Sequence, residues 1–277
     1  MTTRRKLYCL FIYFIAFLMC VFALGPVCWA LSTSLKPENL IFSQPPQWIP
    51  REISLSHYQG VVRNQNMVRY YVNSFLTAVW STGVGLVIGI FGAYGFSRFR
   101  FPGNRSMMVS IMLTRMLPRV SLIVPFFITL QKLKLYNTRP GLIMVFLVIT
   151  LPLSIWMLKG FFDSIPYEIE EAAIVDGCSP LGVLIRIDLP MILPAVASVG
   201  MYIFITAWNE FLLALTMTKG NTLRTISVGL AFYIDEFGIR WGSLMAASIL
   251  MSIPAIVVFS IFSRFLIKGL SEGAVKG

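Results

Sequence analysis

Six of the chain's twelve acidic residues, Asp163, Glu168, Glu170, Glu171, Asp176 and Asp188, fall between Lys159 and Pro190. Clustered carboxylates are the raw material of acid–base and metal-assisted catalysis, but the partners such chemistry needs are missing. The chain has one histidine, His57, which excludes an H-E-x-x-H zinc helix. It has no G-x-x-x-x-G-K-[ST] phosphate loop, so it is not expected to hydrolyse ATP itself. Cys9, Cys20 and Cys28 lie in one apolar run and Cys178 in a distant polar stretch, without metal-ligand or redox spacing and without an expected disulfide. No metal, cofactor or catalytic residue is therefore expected on this chain. A second set of polar residues sits inside apolar runs: Arg115 and Arg119, four residues apart, and the consecutive Trp208, Asn209 and Glu210. Charge at membrane depth is expensive and by default marks function. An indole, an amide and a carboxylate suit sugar hydroxyls, whereas an Arg115–Glu210 pair or polar helix packing would make the same residues structural.

These groups must be positioned by elements suited to lipid. The 277 residues are 57% hydrophobic and 13% charged, against about 45–50% and about 25% in soluble proteins. That composition argues against a water-soluble enzyme. The formal net charge of +11 would fit nucleic acid, but the basic residues are scattered through short loops and form no stripe or tail, so no nucleic-acid partner is expected. A membrane-crossing helix needs about 20 apolar residues. Runs near 7–31, 72–96, 106–130, 141–158, 191–217 and 241–263 give six spans, an all-α membrane protein forming one domain over residues 1–277. Arg4-Arg5-Lys6 resembles the start of a signal peptide, but the apolar run after it is too long for one and is expected to be a retained span. Gly85 and Gly89 on one face of the second span would let a neighbouring helix approach closely. With an even number of spans both termini share a side. Basic residues divide almost evenly between the two sides, but their density next to the first span and in the tight turn Ser97 to Arg105 places both termini in the cytoplasm.

The acidic stretch, residues 159–190, is then a cytoplasmic loop that reads as two short helices. Pro166 suits a first helical turn, with Glu168, Glu170 and Glu171 near the positive end of the dipole. Gly177 supplies a left-handed stop, and Ser179-Pro180 opens the second helix. Ile165, Ile169 and Ala172 or Ala173 share a face, a shallow apolar surface beside acidic groups that is suited to docking into a groove on another protein. A merely solvated loop is the competing reading.

The residues themselves separate the two. Glu171-Ala172-Ala173, three residues, Gly177, nine residues, then Ile187-Asp188-Leu189-Pro190 resembles the signature loop of permease subunits in binding-protein-dependent ATP-binding-cassette (ABC) importers. Arg115-Met116-Leu117-Pro118, Leu135-Tyr136-Asn137-Thr138, Lys159-Gly160-Phe161-Phe162, Trp208-Asn209-Glu210-Phe211 and Ser34-Leu35-Lys36-Pro37 resemble the carbohydrate-importer branch, and residues 269–277 are similar to the tail of the maltose-type G subunit.

The resemblance implies the ABC importer permease fold: six transmembrane helices with a cytoplasmic coupling helix, in a prokaryotic inner or plasma membrane. It implies a second, homologous permease as partner, two ATPase subunits that bind ATP and Mg, and an extracytoplasmic solute-binding protein. It casts Glu170, Glu171, Ala172, Ala173, Asp176, Gly177, Ile187, Leu189 and Pro190 as the coupling surface for the ATPase. It places the tail, with Gly269, Gly273 and Lys276, at the ATPase dimer. The transported solute would be a carbohydrate, first an oligosaccharide, with glycerol 3-phosphate or another small polar solute as the alternative. Two other classes fit less well. An ion-coupled secondary transporter would show repeated halves, which are absent, and a membrane-embedded enzyme would gather Asp, His or Ser at one membrane face.

Overall fold

The computed structural model describes the backbone of residues 3–236 and 238–273 and the side chains of residues 8–236 and 238–263. It is almost wholly helical. Helices α1 (Thr3–Ser34), α3 (Gln65–Arg98), α6 (Arg139–Asp163) and α13 (Trp241–Gly273) are the long ones. Between them lie α2 (Ser56–Arg63), α4 (Asn104–Leu113), α5 (Ile123–Lys132), α7 (Tyr167–Val175), α8 (Pro180–Val183), α9 (Leu189–Met191), α10 (Leu193–Asn209), α11 (Leu212–Met217) and α12 (Ile226–Ala231). Among the described residues the only sheet is a hairpin of two-residue strands, with Ile234 opposite Ile239 and Asp235 opposite Gly238. Among the described residues four helices are long and apolar enough to cross a membrane, and the number becomes six if each of two bent pairs is one span.

Both bends are written in the sequence. The pair Asn104–Met116 and Arg119–Lys132 turns by 102°. Pro118 has no N–H to donate and disfavours the helical region for the residue before it, and Leu117 is extended at φ −68°, ψ 129°. The pair Pro180–Met191 and Leu193–Asn209 turns by 82°. Here Pro190 interrupts the ladder, the preceding Leu184–Asp188 widens into a π-turn, and Ile192 leaves helical geometry at ψ 13°. The third and fifth spans read from hydropathy are therefore broken elements. The fifth breaks again at Glu210, which is extended at ψ 117° between α10 and α11.

Chain contacts divide the protein into two compact units, residues 1–68 with 230–252, and residues 69–229 with 253–277. In the first unit, α1 has none of its apolar window buried within the chain, as suits a helix facing lipid or another subunit. The Ser34-Leu35-Lys36-Pro37 motif is its lower clasp. The Ser34 and Tyr58 hydroxyls meet at 2.7 Å, His57 Nε2 donates to the Lys36 carbonyl at 3.0 Å, and the Lys36 ammonium lies 4.3 Å from the Trp29 ring centroid.

In the second unit, Ala93, Phe96, Ile155, Leu158, Phe162, Leu184, Val199 and Ile203 form the buried core where α3, α6 and α10 pack. The glycine face of α3 makes that packing close. A Cβ added at Gly85 would stand 3.1 Å from side-chain carbons of Ile203 and Leu147, and one at Gly92 would stand 3.3 Å from Ile155. The Leu135-Tyr136-Asn137-Thr138 motif is a clamp. Thr138 caps α6 by accepting from the Gly141 N–H at 3.2 Å, while Asn137 donates its own N–H to the Met217 carbonyl and accepts from the Lys219 N–H at 2.8 Å.

Gly141 is the tightest point of that clamp, since a Cβ there would lie 2.1 Å from the backbone oxygen of Leu135. Gly141→Ala is expected to destabilise by about 1–3 kcal/mol through overpacking against backbone that cannot swing away. Gly160→Ala, with nothing within 4 Å, is expected to be neutral. Thermal unfolding in detergent should show a lowered midpoint for the first variant alone.

Candidate functional site

The acidic loop folds as two helices around a buried ion pair. Pro166 takes the N-cap place rather than the first turn, and α7 then runs from Tyr167. It stops in a Schellman arrangement: the Cys178 N–H donates to the Ala173 carbonyl and the Gly177 N–H to the Ile174 carbonyl, each at 2.9 Å, with Gly177 at φ +89°. Ser179 then caps α8 by accepting from the Gly182 N–H at 3.2 Å, with Pro180 at the first position.

The inward face of α7 is held by Arg98, the last residue of α3. The Arg98 guanidinium pairs with the Glu170 carboxylate, the two side chains being only 5% and 10% exposed. It also donates to Ser97 Oγ at 2.9 Å and to the Ile165 carbonyl at 3.3 Å, and packs 4.7 Å from the Tyr167 ring centroid. Ser97 in turn donates to Asp163 at 2.6 Å and accepts the Tyr167 hydroxyl at its carbonyl. Three elements, α3, the end of α6 and α7, are thus locked at one point.

The coupling residues expected from the sequence divide accordingly. Glu170 and Ala173 are buried inward, whereas Glu168, Glu171, Ala172 and Asp176 are exposed, with Gly177 at the turn. Ile187 and Leu189 are half-buried and Pro190 exposed, on the return limb. Ile165 is buried, but Ile169 and Ala172 face outward, so the apolar face expected of α7 is split between the core and the surface.

Asp188 is the loop's second buried carboxylate. It is fully buried and neither oxygen has a hydrogen-bond partner. Burial first, then the neighbouring Glu170 charge, push its pKa up to about 6, with Arg98 opposing. Sequence reasoning counted Asp188 among the loop's acidic residues and used Arg98 only as part of the basic turn that orients the chain. The signal that would have found Arg98 is a cation in the last turn of the second long helix, beside a loop that holds half of the acidic residues.

Within the intramembrane polar set the expected Arg115–Glu210 pair is replaced by another. Arg119, not Arg115, pairs with Glu210, Nη1 to Oε2 at 2.7 Å. The break at Leu117-Pro118 takes the two arginines off a common helix face. Glu210 is buried, and its other oxygen accepts the Leu213 N–H at 3.1 Å, capping α11, while its carbonyl accepts from Ser227 at 2.8 Å. Trp208 is buried between the rings of Tyr71 and Phe204, and Asn209 is exposed and donates back to the Ile205 carbonyl at 3.0 Å. Arg115 lies 5.9 Å from the Tyr202 ring centroid. In the tail, Gly269 and Gly273 continue α13, and Lys276 lies outside the described residues. Among the described residues no group of three or more His, Cys, Asp or Glu could hold a metal ion.

Comparison with known proteins decides the family. Residues 85–272 match the family model described as "Binding-protein-dependent transport system inner membrane component". The chain belongs to this family. The permease is 34% identical over 252 residues to the diacetylchitobiose uptake system permease protein DasC of Streptomyces coelicolor, covering 91% of each chain. It is 33% identical over 265 residues to the trehalose/maltose transport system permease protein MalG of Thermococcus litoralis, covering 95% of each. Its fold is that of a chain in the crystal structure of a bacterial ABC transporter that imports the acidic polysaccharide alginate. The TM-score is 0.81 and the identity 21%, over 95% of this chain and 98% of that one.

Two outcomes test the loop geometry of the permease. Arg98→Ala leaves Glu170 buried and unpaired and should cost about 3–5 kcal/mol, with much of the loss recovered in Arg98→Ala/Glu170→Gln. Thermal unfolding of the four members of that cycle checks it. Asp188 has a folded-state pKa above the ordinary aspartate value of 3.8, so its contribution to stability is fully present below the lower value and lost as pH rises through about 6. The wild-type midpoint should therefore fall between pH 5 and pH 7.5 by more than that of Asp188→Asn.

Proposed function

We propose that this permease is one of two membrane subunits of an ATP-driven importer that takes up a carbohydrate, first an oligosaccharide, delivered by an extracytoplasmic binding protein. The relatives named above, which serve diacetylchitobiose and trehalose/maltose uptake, support that solute class over glycerol 3-phosphate. ATP and magnesium would be held by two separate ATPase subunits. Both termini would lie in the cytoplasm of a prokaryotic cell whose inner membrane holds residues 1–277 as one transmembrane domain beside a homologous partner.

The observation that carries this reading is the two-sidedness of α7. Its inner face is fixed to α3 through Glu170 and Arg98, so a push on its outer face has a rigid route to the spans. The outer face presents the exposed Glu168, Glu171, Ala172 and Asp176. Glu171 would make the polar contact with the ATPase, Ala172 would permit close approach, and Glu170 would serve as anchor rather than contact. Ile187, Leu189 and Pro190 would return the coupling loop to α10. Gly269, Gly273 and Lys276 would extend towards the ATPase dimer.

Glu171→Lys in the complete complex reverses a charge on an exposed position and leaves the inner face untouched. It is expected to abolish solute-stimulated ATPase activity and uptake while membrane insertion and permease pairing persist. Normal uptake by this variant would sink the coupling role of α7.

A further inference from the structure

The segment that follows α1 carries apolar side chains that the chain itself does not cover. From Asn39 to Pro50 it has no charged residue. Within that stretch Phe42 and Ile49 are 75% and 84% exposed, and Trp48 and the following Ile53 are exposed as well. Large apolar groups held in water at this exposure mark a contact surface. Two contacts fix where the segment stands. The Ser54 N–H donates to the carbonyl of Leu35, one residue past the end of α1, at 2.8 Å, and the Trp48 ring meets the Trp29 ring edge-on with centroids 4.9 Å apart. Along a helix the six residues from Trp29 to Leu35 amount to about 9 Å. The chain therefore folds back down the shaft of α1 before it returns to α2.

The level it reaches is the edge of the bilayer. None of the apolar window of α1 is buried within the chain, so bilayer thickness sets its depth. Its apolar run, residues 7–31, is about 37 Å long, against a hydrocarbon core of about 30 Å. Trp29 lies at the end of that run, just before the buried hydroxyls of Ser32, Thr33 and Ser34, and the Lys36 ammonium stands 4.3 Å from its ring centroid. Paired indoles backed by a cation belong at the boundary between lipid and water. The backbone suits that place too. Pro45, Pro46 and Pro50 have no N–H to leave unpaired, whereas irregular backbone with all its donors is not tolerated deeper in lipid.

We infer that residues 41–53 form a lipid-binding lip. The segment lies in the headgroup layer at the C-terminal end of α1, with Trp48 and Ile49 at the acyl boundary, and its partner is the bilayer surface. Through Trp29 and Leu35 it fixes the depth of α1, whose apolar window finds no packing within the chain. This inference does not depend on which solute is carried.

The test uses the complete complex in proteoliposomes, with Cys9, Cys20, Cys28 and Cys178 replaced by Ala and one nitroxide attached at Ile49→Cys or at Glu38→Cys. Power-saturation electron paramagnetic resonance compares access of oxygen, which concentrates in lipid, with access of a nickel chelate, which stays in water. Oxygen should dominate at position 49, about 5–10 Å into the headgroup–acyl boundary, and nickel at position 38. Nickel dominating at both positions overturns the inference, because the segment then stands in water. Low access of both reagents at position 49 overturns it too, because another protein subunit then covers the lip. A second measurement leaves the cysteines in place and follows tryptophan quenching by lipids brominated near the headgroup. The wild-type complex should lose a larger fraction of its fluorescence than Trp48→Phe, and equal quenching of the two overturns the inference.

Discussion

The structure turns on the buried pair of Arg98 and Glu170. Alone, a helix of nine residues such as α7 is too short to hold itself together in water. What holds it is a charge in its first turn that cannot leave: with both side chains almost fully buried, separating them would strand an ion in a dry site. The same guanidinium reaches Ser97, which bonds Asp163, and the Ile165 carbonyl, so α3, the end of α6 and α7 are tied at one point. A surface pair would give under about 1 kcal/mol and no such rigidity. Asp188 adds a second carboxylate to the same dry region, where burial first and then the Glu170 charge raise its pKa.

A second constraint shapes the spans. Backbone groups in lipid must be satisfied within the protein, so a broken helix is tolerated only where other groups take over the freed N–H and C=O. At Glu210 the side chain caps α11 through the Leu213 N–H and Ser227 takes the carbonyl, which lets the chain leave helical geometry between α10 and α11. Arg119 then neutralises the carboxylate used for that cap. The acid therefore has a structural task already, and its partner arginine is spoken for. Arg115, by contrast, is exposed and lies 5.9 Å from the Tyr202 ring centroid.

Much of the protein was legible from residue order. Apolar run length placed α1, α3, α6 and α13 because a span needs about 20 apolar residues whatever its neighbours are. Gly177 and Ser179-Pro180 marked the helix stop and start in the acidic loop correctly, since both depend on local backbone geometry. The glycine face of α3 was visible as a spacing, and its close neighbours proved to be Ile203, Leu147 and Ile155. The spans at 106–130 and 191–217 were legible only as hydropathy: their prolines were seen, but a bend angle depends on what packs on either side.

Composition, apolar run lengths, turn residues and the Glu171-to-Pro190 spacing determined that this chain is a helical membrane permease with an acidic loop, because those properties are local or additive along the chain. Which acid meets which base was decided by tertiary structure alone. Arg119 rather than Arg115 takes Glu210, and Glu170 turns inward while Glu171 turns out, because pairing across 91 or 72 residues depends on helix breaks and burial that no local pattern encodes.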